Sequence, residues 1–412
     1  MGNYLKSIHV NELYHLKNFD IEVCRGEEKK HLIITGPNGT GKTILLKSVL
    51  ASLEKIVQDK NLNLKALPKN VRIFQEQIQR DKEANDIVSL RRNEEVLHNY
   101  EKQLKEFTKE VVLDISSYED VARNFSEKKF IVASYDDVRR SHFVAVKNPE
   151  KPILSYSVKD NKVDQFLKFM VDLKIQQALA NNEKQFKDAN IIGEWFDSFE
   201  NILKKLFNDS SLHLNFDYKT YIFTICEQGK LPYEFTQLSA GYSAALDIIT
   251  DLMLKMQNSG QPVRAYDVEG IVLIDEIETH LHLALQKQIL PLLIGLFPKI
   301  QFIVTTHSPF ILNSVSNVTV YDLKRKTSID DLTDYSYETL AEGYFGIETE
   351  SGELRDRLRQ IEELLAKKEK DATDDEKLNY LIEDLMKVPD AVAPEIKTRL
   401  SERLIENKTN KL

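Results

Sequence analysis

Cysteine is nearly absent: the 412 residues contain two, Cys24 and Cys226. They lie far apart and lack metal-type spacing, which excludes a disulfide framework and a thiolate metal site and leaves two inert thiols in a reducing cytoplasm. Long apolar runs are missing too; none approaches the roughly 20 residues needed to span a bilayer. The opening Met1-Gly-Asn-Tyr-Leu-Lys6 has no signal-peptide h-region, and Lys6 stands where the myristoylation pattern wants Ser or Thr. The expectation is a cytoplasmic chain with no membrane partner. Positive charge is not in excess: the net charge is −9, so the molecule as a whole is not a basic nucleic-acid binder, although a local basic strip is compatible with that average. No internal repeat is visible.

What is present begins with length. A chain of 412 residues accommodates two or three structural units, or one large domain with insertions. Near its start an apolar run, His31-Leu-Ile-Ile-Thr35, leads into Gly36-Pro-Asn-Gly-Thr-Gly-Lys42-Thr43, the spacing of a P-loop. Gly36, Gly39 and Gly41 let the backbone wrap closely around a polyphosphate, because glycine tolerates positive φ and has no Cβ in the way. The loop N–H groups and the N-terminus of the following helix, which opens with Ile44, supply positive potential. Lys42 can reach the β- and γ-phosphates, and Thr43 can ligate Mg²⁺. The nucleotide-binding set expected from this stretch is Gly36, Pro37, Asn38, Gly39, Thr40, Gly41, Lys42, Thr43 and Ile44.

Farther along, Leu97, Tyr100, Leu104, Phe107 and Val111 recur at steps of three and four within a stretch rich in charge. The pattern suits a coiled-coil-like seam or a single amphipathic helix on a globular body. Phe130–Tyr135 reads as a strand, the Pro149 and Pro152 region as a loop, and residues 163–207 as helix with Trp195 among core-facing phenylalanines. Leu212–Asp217 and Thr220–Ile225 read as a hairpin. Gly270–Asp275 and Ile300–His307 are continuous apolar runs ending in polar residues, as parallel strands buried on both faces require. The last hundred residues are charged helix with stripes Leu354, Leu358, Ile361, Leu365 and Leu378, Leu381, Leu385, then a polar tail from Glu402.

Three further motifs fall in a fixed order after the P-loop. Leu238-Ser239-Ala240-Gly241 opens a helix and can form a second anion-binding N-terminus through Ser239 and Gly241. Asp275-Glu276 ends an apolar strand: Asp275 can hold Mg²⁺, and Glu276 is the candidate general base that orients water. His307 ends the next such strand, where a neutral imidazole can donate to a γ-phosphate oxygen.

This order resembles the ABC-type ATPase head of the SMC, RecF-like and overcoming-lysogenisation-defect (OLD) families. Gly36–Thr43 matches Walker A, Leu238–Gly241 the signature, Asp275-Glu276 Walker B and His307 the switch histidine. Asp275-Glu-Ile-Glu-Thr-His-Leu-His282 is similar to the OLD-like version, in which His-Leu-His replaces the aspartate loop; His280 and His282 then suit a dimer-interface or nucleotide-sensing role better than metal ligation. Leu283 departs from that branch, which often carries proline there. No clear Q-loop glutamine is present; Gln75, Gln77 and the Tyr135-Asp136-Asp137 turn are the candidates. The resemblance implies an α/β fold: a P-loop NTPase head of ABC type with a central, mostly parallel sheet, an antiparallel β part, a helical insertion and a helical C-terminal extension. The divisions expected are 1–66 (N-terminal lobe with Walker A), 67–125 (helical insertion), 126–235 (strand and helical subdomain), 236–325 (lobe with signature, Walker B and switch histidine) and 326–412 (helical extension). It also implies a homodimer with two ATP molecules sandwiched between heads, with a higher oligomer left open.

Only helix-patterned residues follow His307, and Glu338, Glu342, Glu348 and Glu350 sit on no apolar strand runs, so a fused TOPRIM nuclease is not expected. The closer similarity is to standalone ATPases of prokaryotic anti-phage systems, such as the Septu and retron-associated ATPases, through Gln237–Leu252 and Glu342–Ile347. That resemblance implies a separately encoded effector, such as an HNH or TOPRIM nuclease, with the C-terminal helices as either a docking surface or a solvated cap. The alternative is a DNA-repair ATPase that engages DNA directly through a groove built from Arg91-Arg92, Lys128-Lys129 and Arg139-Arg140. A scaffold that binds ATP without turnover is disfavoured by the complete set of Asp275, Glu276 and His307.

Overall fold

The computed structural model describes the chain except residues 1, 27, 60, 139–142, 155–156, 258–265, 342, 344–351, 368–370 and 387–412. Arg139-Arg140, the Glu342–Ile347 segment (Gly343 excepted), Glu348, Glu350 and the tail from Glu402 lie outside the described residues. Two compact units are present, Met1–Leu340 and Ala341–Leu412.

The first unit starts with a small antiparallel sheet. Strand β1 (Leu5–Leu13) points Ile8, Val10 and Leu13 inward, turns through Tyr14 at φ 55° and pairs with β2 (Leu16–Glu22). The central sheet begins with β3 (His31–Thr35), buried at every position, and the P-loop leads from it into α1 (Lys42–Gln58). Two long helices follow, α2 (Asn63–Glu83) and α3 (Ile87–Thr108), packed on each other as a hairpin. The break is local chemistry: Asn85 takes a left-handed conformation at φ 53°, and the Asp86 carboxylate accepts from the N–H groups of Val88 and Ser89 to start α3. Leu97, Tyr100, Leu104 and Phe107 lie on α3, none of them fully buried. Val111, the fifth member of the expected seam, instead begins β4 (Val111–Ile115), where inward and outward residues alternate and the strand pairs with β1.

Helix α4 (Tyr118–Ser126) leads into β5 (Phe130–Tyr135). A helical hairpin, α5 (Phe166–Asn182) and α6 (Phe186–Phe207), packs around an aromatic cluster in which Trp195 stacks on Phe199 at 5.5 Å. Trp195 is therefore packing. The strands β6 (His213–Asp217), β7 (Ile222–Cys226) and β8 (Tyr233–Glu234) form a second antiparallel sheet, with the expected hairpin as its first two strands. Helix α7 (Ala240–Lys255) precedes β9 (Glu269–Ile274); α8 (Leu283–Leu296), β10 (Ile300–Thr305), α9 (Pro309–Leu312), β11 (Val318–Asp322), β12 (Thr327–Asp330) and α10 (Tyr337–Leu340) complete the unit.

The central sheet has the order β12-β11-β3-β10-β9-β5, parallel throughout except for the edge strand β12. Alternate residues of its strands, among them Leu32, Ile34, Ile271, Leu273 and Ile303, share one core with α1, β1, β2 and β4. This is the mostly parallel α/β sheet with an antiparallel part that the motif order implies. In the second unit, α11 (Gly352–Ala366) and α12 (Ala372–Met386) pack together through Ile361, Leu364, Leu378 and Leu381, with Arg357 paired to Asp384 at 2.6 Å. The side chains of Leu354 and Leu385 lie outside the described residues. No described helix is long and apolar enough to cross a membrane.

One buried group couples this sheet to pH. His31 on β3 is 2% exposed, and its Nδ1 accepts the Phe302 N–H at 3.0 Å. Burial, with a smaller push from Lys29, takes its pKa down from 6.5 to about 3. The unfolded chain therefore binds this proton near pH 6.5 while the fold refuses it, so stability is full above that pH and is lost as the pH falls toward 3. Between pH 7 and pH 5 the loss should be about 2 kcal/mol. His31→Asn, whose Oδ1 can accept the same N–H, should flatten that slope in denaturant unfolding at the two pH values; identical slopes would reject the assignment.

Candidate nucleotide site

The site lies where β3, β10 and β9 end side by side, at the carboxyl edge of the sheet, the usual ligand position in open α/β folds. The loop after β3 takes positive φ at Gly36 (140°), Gly39 (79°) and Gly41 (97°). Gly41 is also hemmed in: a Cβ there would stand 3.0 Å from Leu16 Cδ1 and 3.3 Å from His15 Cε1. The β1–β2 turn thus packs against the loop, and the Thr40 carbonyl and His15 Nε2 lie 3.0 Å apart. Within the loop, the Thr40 hydroxyl donates to the Pro37 carbonyl at 2.9 Å. Asn38 and Gly39 are exposed, and Thr43 is half-buried beside Ile44.

Lys42 is the buried cation of the site. Its Nζ donates to the Gly36 and Pro37 carbonyls at 3.0 and 3.3 Å. Burial pushes its pKa down, opposed by the field of Glu276, Asp275 and Glu278. Those three carboxylates come from the turn after β9. Asp275 is 3% exposed and accepts from the Thr305 hydroxyl, whose oxygen in turn accepts the Glu276 N–H at 2.8 Å. One threonine of β10 thereby sets both residues of the Asp-Glu pair. Glu276 itself sits at φ 43°, a strained conformation for a non-glycine residue and a common accompaniment of functional turns.

The end of β10 is pinned from the other side as well. The Thr306 N–H donates to the Ile34 carbonyl, and the Thr35 hydroxyl donates to the Thr306 carbonyl, both at 3.1 Å. His307 follows directly. Burial lowers its pKa, the Lys42 charge lowers it further and Asp275 opposes, so at neutral pH the ring is held uncharged. The structure therefore gathers Lys42, Asp275, Glu276 and His307 as the motif order predicts.

Glu278 is the residue that sequence reasoning missed. Its carboxylate accepts from the His307 N–H at 2.5 Å and from the Thr306 hydroxyl at 2.7 Å, and burial raises its pKa. The signal open to sequence was its place two residues after Glu276 in the same turn; its partners, some thirty residues away, were not visible.

Ser239 caps α7 from an exposed position and makes no side-chain capping bond. Gly241 is buried, and a Cβ there would meet the His280 carbonyl at 3.0 Å. The signature is thus packed onto the His280–His282 turn of its own chain. The His282 ring lies against Tyr242 at 5.7 Å, and its Nδ1 caps α8 by accepting the Leu285 N–H at 3.4 Å. Among the three candidates for a Q-loop, Gln75 and Gln77 lie on α2. Tyr135 ends β5, and its carbonyl accepts the Asp275 N–H at 2.8 Å. The Tyr135 hydroxyl donates to the buried Asp251 on α7 at 2.7 Å, linking the signature helix to the end of the Asp275 strand.

Fold and motifs together define an ABC-type ATPase head with a P-loop nucleotide site. A family model described as "AAA domain, putative AbiEii toxin, Type IV TA system" matches residues 32–313, and the chain belongs to this family. The Septu protein PtuA of Bacillus mycoides (strain KBAB4) is 47% identical over 78 residues, which make up 19% of this chain and 11% of that protein. The retron Ec83 probable ATPase of Escherichia coli is 38% identical over 104 residues, 24% of this chain and 19% of that protein. The match thus spans less than a fifth of either relative. The crystal structure of an SmcHead bound to the C-winged helix domain of ScpA covers 79% of this chain and 97% of its own at 13% identity, with a TM-score of 0.37.

Proposed function

We propose that this chain is a nucleotide-switched ATPase that controls a separately encoded effector, a nuclease of HNH or TOPRIM type, in prokaryotic anti-phage defence. The observation that carries the catalytic half is the gathering of a buried lysine, two turn carboxylates and an uncharged histidine at the ends of three adjacent strands. The glycine-rich loop and Lys42 fit the phosphates of ATP. The Thr43 hydroxyl and Asp275 carboxylate are hard oxygen donors, the kind Mg²⁺ takes; the ion would supply charge neutralisation at the phosphates. Glu276 orients and deprotonates water, and His307 donates to the phosphate that leaves. Each chain carries one P-loop and one exposed signature N-terminus at Ser239, which suits two heads closing on two nucleotides. Charge-assisted contacts to the terminal phosphate are lost on hydrolysis, so nucleotide state sets how tightly the heads pair.

The effector half is supported by the Septu and retron relatives, and the two-helix unit α11–α12 is the docking surface proposed for it. Direct DNA engagement is the second reading; among the described basic pairs Arg91-Arg92 is exposed, while Lys129 is paired with Glu127 at 2.6 Å. The test is to purify the tagged protein from its native operon, with and without ATP, and identify what accompanies it by mass spectrometry. A stoichiometric small nuclease is expected. A head carrying only DNA, with affinity falling steeply as salt rises, would replace this reading with the DNA-engaging one.

A further inference from the structure

We infer that Glu278 is the positioning residue of the switch histidine: its carboxylate grips the turn after β10 and aims His307 at the phosphate site. The inference rests on the ATPase reading above. Strand β10 ends at Thr305, so the next residues need other partners. Glu278 supplies them: Oε1 takes the His307 N–H, Oε2 takes the Thr306 hydroxyl, and that hydroxyl oxygen accepts the Ser308 N–H at 2.9 Å. Three consecutive residues thus hang on one carboxylate. Two acceptor oxygens meet two donors, a match that an ionised carboxylate makes and a neutral amide makes only by turning a hydroxyl round.

Cost argues in the same direction. Glu278 is half-buried beside Glu276, so a third negative group here is unfavourable unless something specific requires it. Lys42 feels its field along with those of Asp275 and Glu276, which offsets part of that cost. Glu278 also shares its backbone with Glu276 across Ile277, whose N–H donates to the Thr305 carbonyl at 3.1 Å. Moving the turn that carries the candidate base therefore moves the anchor of the histidine. Two groups that act on one phosphate from different strands are held as a single rigid pair.

The experiment is steady-state ATP hydrolysis by the full chain carrying Glu278→Ala, Glu278→Gln, Thr306→Val, His307→Ala or the Glu278→Ala/His307→Ala pair. Misplacement of a catalytic group by about 1 Å can cost about 10²-fold, so Glu278→Ala should lower kcat about 10- to 100-fold with KM for ATP within about 3-fold. Glu278→Gln, which can still accept the His307 N–H, should return to within about 3-fold of the wild type. The double variant should be no slower than His307→Ala alone, because the two act as one unit. Should Glu278→Ala fail to fold, Thr306→Val serves: it removes one anchor of the carboxylate, and a kcat loss of about 3- to 10-fold at constant KM is expected. A glutamine variant much slower than Thr306→Val, which loses the same acceptor contact, would make Glu278 a chemical participant and overturn the inference. So would unchanged kcat in the alanine variant or in Thr306→Val, or additive losses in the pair. A wild-type chain that hydrolyses no ATP would overturn the ATPase reading itself, and this inference with it.

Discussion

Glu276→Gln should lower ATP turnover about 10²-fold or more while ATP-dependent pairing of the heads survives, since loss of a general base removes proton transfer and not binding. The substitution keeps shape at a position whose backbone, at φ 43°, is held by the Thr305 hydroxyl, and a glutamine Oε1 can still accept from the Thr279 hydroxyl as the Glu276 carboxylate does at 3.4 Å. The fold around it should therefore be unchanged. Single-turnover hydrolysis, with sedimentation in the presence of ATP, reads both halves. Turnover within a few-fold of the wild type would remove Glu276 from the mechanism and leave another carboxylate of the same turn to be tried.

Lys42→Ala should act one step earlier. The ammonium is buried and answers three carboxylates. Its loss removes charge-assisted contacts to the phosphates, each worth about 1.5–3 kcal/mol, and leaves the negative turn facing an anionic ligand. ATP affinity should fall about 10²-fold. A thermal-shift assay gives a direct check. ATP at about 100 times its Kd should stabilise the wild type by about 2.7 kcal/mol, and the variant at the same concentration should gain little. An equal shift in both proteins would mean that the glycine-rich loop is not where ATP binds. The two variants separate binding from chemistry: one keeps the nucleotide and stalls, the other binds it about 10²-fold more weakly.

The parts legible in the sequence are those written in local pattern. The run before Gly36 and the runs before Asp275 and His307 are apolar without alternation, which only a strand covered on both faces explains, and their polar ends had to fall at one edge of a parallel sheet. What escaped is what depends on contact across sequence. Thr305 and Glu278 look ordinary until the turn after β9 meets the end of β10. The break between α2 and α3 was written locally, in Asn85-Asp86, and was overlooked because the helical period continued on either side. Strand β11 also escaped: its Val318-Thr-Val-Tyr run is short, and nothing local shows that it lies beside the P-loop strand.

The position of β3 has a consequence for how the chain is made. Leu32 pairs with Ile303 on one side and Thr319 on the other. The strand carrying the P-loop leaves the ribosome and waits for β10 and β11, which follow about 15–55 s later at about 5–20 residues per second. During that interval β1, β2 and β4 can already pair, since their partners are close in sequence. The apolar β3 has only this small sheet and α1 to shelter against. A nascent chain halted before residue 300 would lack β10, and with it Thr305, Thr306 and His307. Nucleotide binding is thus a property the polypeptide acquires only after β10 has been made.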